Sequence, residues 1–159
     1  MKGAILRKGE AYYTFLSKIF AAIQDEQLKY NWLITDCMCY PQNAKYAELL
    51  LKEYAWLTGE QLTGMIQMED FQWIWAVLSG FPKEVTLEDI LKFKLPYADG
   101  FSGFWDATLS IQHPLADIEI VPWDSSLVIA ISRKDDIINN FIKYFSHAED
   151  LAAYNRQFK

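Results

Sequence analysis

Apolar and polar positions alternate most clearly between Asp117 and Phe145, in DIEIVPWDSSLVIAISRKDDIINNFIKYF. Ile118 and Ile120, then Leu127, Ile129 and Ile131, recur every second residue, the spacing that puts side chains on one face of a strand. Val121, Val128 and Ala130 fill the opposite faces. Strands that are apolar on both faces are usually covered on both, so this hairpin belongs inside a sheet. Pro122 has no N–H to donate and predicts the end of the first strand, after which Trp123, Asp124, Ser125 and Ser126 supply a turn. Ser132 with Asp135 has the spacing of a capping box, and Ile137, Ile138, Phe141, Ile142 and Phe145 then follow one helical face.

The same reading applied from the N-terminus predicts a short strand at Gly3 to Arg7 and a helix from Ala11 to about Gln24, with Tyr12, Phe15, Leu16, Ile19, Phe20 and Ile23 on one face. Tyr30 to Tyr40 reads as a strand stopped by Pro41, and Ala44 to Trp56 as a helix. Thr58 with Gln61 opens a further helix through about Gln67. Phe71 to Leu78 follows as a central strand, with Trp73, Trp75 and Val77 on one face and Ile74, Ala76 and Leu78 on the other. Thr86 with Asp89 caps a short helix ending before Pro96, and Ser146 with Glu149 caps a last one ending near Gln157. Tyr97 to Gln112 mixes Asp99, Gly100 and Gly103 with four large rings and predicts a loop, then a strand from about Asp106. These elements make one α+β domain over residues 1–159, with a mixed or mainly antiparallel sheet and amphipathic helices packed on it. Phe15, Ile19, Trp75, Val77, Ile120, Ile129, Ile138 and Phe141 are its expected core.

Composition narrows the function classes. Apolar residues make up 52% and aromatic residues 16% of the 159, enough to fill a core without disulfides or a metal. The net charge of −6 gives no basic patch of the kind that phosphate backbones require, so nucleic acid is not an expected partner. An acidic surface steers toward a basic protein partner or simply keeps the chain soluble. No apolar run approaches a membrane span, and MKGAILRKGEAYY lacks a signal-peptide pattern, which predicts a cytoplasmic protein. Cys37 and Cys39 are too few and too close to form a disulfide framework, in keeping with a reducing compartment.

Several stretches carry a resemblance. YNWLI, TGEQL, FQWIWAVLSGFP, EIVPWDSS and the closing AEDLAAYN together resemble a family of small uncharacterised proteins from bacilli and related bacteria, grouped as a domain of unknown function. The likeness covers most of the chain. It implies a small cytoplasmic bacterial α+β protein and brings no catalytic residues with it.

The candidate chemistry is sparse. Cys37 and Cys39 with His113 and His147 contain four zinc-ligand types, but C-x-C lacks the usual knuckle spacing and both histidines stand alone. No metal or cofactor is expected. His113, Asp117, Asp124, Ser125 and Ser126 contain the parts of a hydrolase triad without a nucleophile elbow to present the serine. Turn chemistry accounts for Asp124 to Ser126, and capping accounts for Asp135 and Asp136. Asp36 interrupts an apolar strand, where a carboxylate needs either water or a hydrogen-bonded partner.

The distinctive stretch is YADGFSGFW, in which Tyr97, Phe101, Phe104 and Trp105 surround two glycines. Such a segment either anchors a partner or folds down to close the core. Two functions follow. One is a non-enzymatic protein-binding module of the adaptor, regulator or immunity type, contacting a basic partner through Tyr97, Phe101, Phe104, Trp105, Trp123 and Asp124. The other is a small-molecule binder or small hydrolase with a pocket near His113, Trp123 and Trp105.

Overall fold

A computed structural model describes residues 1–158. Its centre is a seven-stranded sheet in the order β3-β2-β4-β5-β6-β1-β7, and every neighbouring pair is antiparallel. The strands are β1 (Lys2–Leu6), β2 (Tyr30–Cys39), β3 (Tyr54–Thr58), β4 (Trp73–Pro82), β5 (Ile118–Trp123), β6 (Leu127–Ser132) and β7 (Glu149–Asp150). The helices are α1 (Leu16–Ala22), α2 (Ala44–Leu50), α3 (Gly59–Met68), α4 (Leu87–Ile90), α5 (Asp135–Tyr144) and α6 (Leu151–Arg156). The fold is α+β, as the alternation of patterns requires.

Both faces of the sheet are buried, by different means. On one face Trp32, Ile34, Ala76, Leu78, Ile118, Ile120, Val128 and Ala130 pack against α1, α3 and α5 through Ile19, Leu62, Ile66, Ile138 and Phe141. The register Ile120↔Ala130 puts Ile118 and Ile120 on the side of Val128 and Ala130. Opposite, Ile5, Leu33, Val77, Phe81, Val121, Ile129 and Ile131 are covered by Leu151 and by Ile90, Ala98, Phe104, Ile111 and Ala116 of the long connection 83–117. Of the expected core, Ile19, Val77, Ile120, Ile129, Ile138 and Phe141 are buried. Phe15 and Trp75 are half-buried.

Several expectations need correction. The first helix starts at Leu16, not Ala11, because the preceding chain extends the sheet: Thr14 Oγ1 accepts Trp73 N–H at 3.2 Å and Phe15 bridges Gln72. The helix from Ala44 stops at Leu50, and Tyr54–Thr58, rich in rings and suited to a pleated surface, pairs with β2 as an edge strand. Trp73 lies on the opposite face from Trp75 and Val77, since the β2–β4 register shifts between Met38 and Cys39. Pro122 does not end β5. The β4–β5 ladder pairs Trp75 with Trp123 and Leu78 with Ile120, and the gap between these pairs accommodates the missing N–H.

The capping boxes divide. Thr58 and Gln61 form both reciprocal bonds, and Thr86 caps α4. Ser132 instead stays in β6, donating to Asp117 O and accepting Lys134 N–H, so α5 starts without a side-chain cap. Glu149 lies in β7, and Asp150 caps α6 through Ala153 N–H at 2.7 Å. No strand forms from Asp106; a 3₁₀ turn, Ser102–Trp105, is followed by irregular chain up to β5.

Candidate functional site

The connection 83–117 covers half of the sheet with little regular structure, so its backbone polar groups need partners from elsewhere. Asp36, Asn155 and Arg133 of the scaffold supply several of them, and Gln112 supplies others from within the connection. Asp36, at φ 48 in a bulged part of β2, accepts Ala98 N–H at 2.7 Å and Asp99 N–H at 3.1 Å through Oδ2. Its carboxylate faces water and also holds this loop. The Gln112 amide closes a two-bond pair on the Tyr97 backbone, accepting its N–H at 3.1 Å and donating to its carbonyl at 2.9 Å. From α6, Asn155 Nδ2 donates to Phe104 O at 2.9 Å and Asp106 O at 2.8 Å. Arg133 Nε donates to Ala116 O at 2.9 Å.

These ties fix a chain of rings. Tyr97 meets Phe101 at 5.3 Å, Phe101 meets Phe104 at 4.8 Å, and Phe104 meets Trp123 at 5.8 Å. Trp123 also contacts Trp105 at 5.1 Å and Trp75 at 4.7 Å, all edge-to-face, the arrangement that ring quadrupoles favour. Gly100 supplies a φ of +79, and a Cβ on Gly103 would lie 2.5 Å from the Phe101 ring. The hairpin tip is equally constrained. Asp124 and Ser125 have φ of 48 and 56, Ser126 N–H donates to Trp123 O, and Ser125 N–H donates to Ile74 O at 3.0 Å.

Exposure separates the candidate residues. Phe104 is 1% exposed and belongs to the core, because the 3₁₀ turn points it onto the sheet; it is the floor of the site and not a contact surface. Tyr97, Phe101, Trp105 and Trp123 are half-buried and Asp124 is exposed. An open cleft of about 300 Å³ lies beside them, lined by Trp105, Tyr154, Asn155 and Phe158. Asn155 Oδ1 is buried with no hydrogen-bond partner among the described residues. Arg7 lies over the Tyr154 ring, 4.9 Å from its centroid, so a ring in this cleft already holds a cation.

The hydrolase parts are not assembled. His113 is fully buried, its Nε2 bonded to Ile90 O at 2.9 Å and its Nδ1 accepting Leu115 N–H at 3.2 Å. Phe81 and Phe93 flank the ring at 4.8 and 5.2 Å, and burial lowers its pKa. Ser125 is tied to Ile74, at the other end of β4 from Phe81, a separation of roughly 20 Å along the strand. Among the described residues no group of three or more His, Cys, Asp or Glu is placed to hold a metal ion. His147 packs against Gly9, and Asp135 at the start of α5 pairs with the N-terminal amine at 3.5 Å.

One functional-looking residue is not legible from the pattern. Glu119 is fully buried in β5, and burial pushes its carboxyl up to about 8, only partly opposed by the Gln112 N–H that Oε2 accepts at 3.1 Å. Ser79 stands directly opposite in β4, and among the described residues both Ser79 Oγ and Glu119 Oε1 lack a hydrogen-bond partner. The only sequence signal is a single carboxylate inside the apolar run IEIV. Because Gln112 also holds Tyr97, Glu119 is linked to the aromatic segment through one residue.

Among the described residues no helix is long and apolar enough to cross a membrane. No curated protein and no solved structure matches the chain. A family match covers residues 1–95, from β1 through α4, which is more than half of the sequence. The chain therefore belongs to the family described as protein of unknown function, DUF2691.

Proposed function

We propose that this protein is a non-enzymatic, cytoplasmic protein-binding module that receives a basic partner on the aromatic face formed by Tyr97, Phe101, Trp105 and Trp123, with Asp124 at its rim. The observation that carries this reading is the fixed ring chain: four half-buried rings stand on the buried Phe104 and on a tied hairpin. Pre-placed rings lose little conformational freedom on binding, which suits them as anchors. The net charge of −6 supports attraction of a basic surface, and Lys94 over the Tyr97 ring at 4.8 Å, with Arg7 over the neighbouring Tyr154, supports cationic side chains as ligands for rings in this region.

The test is affinity capture from a bacterial lysate over a series of salt concentrations, with Trp105→Ala as the control. A basic protein retained by the wild type, weakened by salt and absent from the variant is the expected result. Equal capture by both chains overturns the reading.

Asn155 lines the cleft, and its buried Oδ1 has no hydrogen-bond partner among the described residues, which favours one second reading, a small-molecule binder. The cleft volume of about 300 Å³ is at the low end for such sites and the cleft is open, so the protein-binding reading stands first. A small molecule with an apolar ring and an N–H donor that raises the melting temperature, and loses this effect in Tyr154→Ala, would reverse that order.

A further inference from the structure

Cys37 and Cys39 are free thiols whose sulfurs lie 3.6 Å apart. Alternate residues of a regular strand are spaced about 6.6 Å along the backbone, so contact between their side chains needs a local distortion. β2 supplies one. Asp36 has a φ of 48, and the ladder to β4 shifts between Thr35 and Met38 and again between Met38 and Cys39. Both cysteines are half-buried at the margin of the helix-side core, within reach of a small molecule.

We propose that Cys37 and Cys39 form a dithiol–disulfide couple that exchanges with small disulfides, Cys39 as the attacking thiol and Cys37 as the resolving one. The Cys39 thiolate attacks one sulfur of the small disulfide; a Cys39–sulfur bond forms, the disulfide bond breaks, and the first small thiolate leaves with its electron pair. Cys37 loses its proton to solvent and attacks the Cys39 sulfur, forming the Cys37–Cys39 bond and releasing the second small thiolate. The protein dithiol is oxidised by two electrons, the small disulfide is reduced to two thiols, and the two protons released by the cysteines balance them.

The roles follow from the local chemistry. The two sulfurs share one hydrogen bond, which lowers the Cys39 thiol from its ordinary range and, together with burial, pushes Cys37 up, so Cys39 is the thiol that attacks first. Closing the ring must bring the two Cβ atoms to about 3.5–4.5 Å, bending β2 further where it already leaves regular pairing with β4. Such a disulfide is readily reduced again, as fits an exchange site and not a structural staple.

The test is to incubate the reduced chain with oxidised glutathione, quench with acid, alkylate the remaining thiols and measure intact mass. The wild type is expected to lose both alkylatable thiols without retaining glutathione, and peptide mapping should place a bond between Cys37 and Cys39. Cys37→Ser should accumulate one glutathione on Cys39, and Cys39→Ser should react roughly tenfold more slowly. Peptide mapping of the wild type decides the matter even if a variant fails to fold. Retention of two free thiols, a stable glutathione adduct on the wild type, or equal rates for the two variants overturns the proposal.

Discussion

Asp36 Oδ2 accepts the backbone N–H of Ala98 at 2.7 Å, joining residues 62 positions apart in the chain. A left-handed residue in a bulged strand thereby holds the start of the aromatic segment, with Asp99 N–H as a second ligand of the same oxygen.

Replacing Asp36 by Ala removes the acceptor for two N–H groups and places Ala at a positive φ. The expected cost is roughly 1–3 kcal/mol in urea unfolding, with faster proteolysis within 97–105. Asp36→Asn retains an acceptor oxygen and tolerates the left-handed backbone, so it should lose less. Equal losses for the two variants would mean that the carboxylate does not hold the loop.

Glu119 gives stability a pH dependence of defined sign. Its ordinary value is 4.5, and burial raises it to about 8 in the folded state. The folded chain therefore keeps a proton that the unfolded chain releases, so stability from this group is full below 4.5 and is lost as pH rises through about 8. The loss is on the order of several kcal/mol. Glu119→Gln is neutral throughout, so its stability relative to wild type should rise from about pH 5 to about pH 8 in paired urea titrations. Parallel curves would show that Glu119 does not carry this proton.

Ile129 lies fully buried in β6, beneath the long connection. Ile129→Ala should cost roughly 2–5 kcal/mol in chemical unfolding, through lost burial and the cavity left behind. A cost below about 1 kcal/mol would mean that the connection collapses onto the site freely.

Legibility in the sequence tracked the range of the interactions. The β5–β6 hairpin and α5 follow a local period that burial on both sheet faces enforces, and apart from the end of β5, which runs on through Pro122 to Trp123, and the unused Ser132 cap they are where the pattern places them. Ser132 and Ser146 match a capping pattern that their neighbours leave unused, since a strand and a better-placed Asp150 take over. β3 was hidden because YAWLT continues from α2 with no Gly or Pro between them. The aromatic segment was legible as a concentration of rings, but its shape depends on Asp36, Gln112 and Asn155, and no local period encodes partners so far away. Exposure of its rings alternates with the turn, which is why Phe104 is core while Trp105 beside it is half-exposed.

The most direct measurement is the binding isotherm of the captured basic partner against wild type and Trp105→Ala, with melting temperatures recorded for these chains and for Phe104→Ala. Trp105→Ala should weaken binding by roughly 30-fold, the equivalent of about 2 kcal/mol for an interface anchor, while melting within a few degrees of wild type. Phe104→Ala should cost roughly 3–5 kcal/mol of stability, as a buried ring does. Unchanged affinity in Trp105→Ala, or a fall in its melting temperature as large as that of Phe104→Ala, would contradict the assignment of this face to binding.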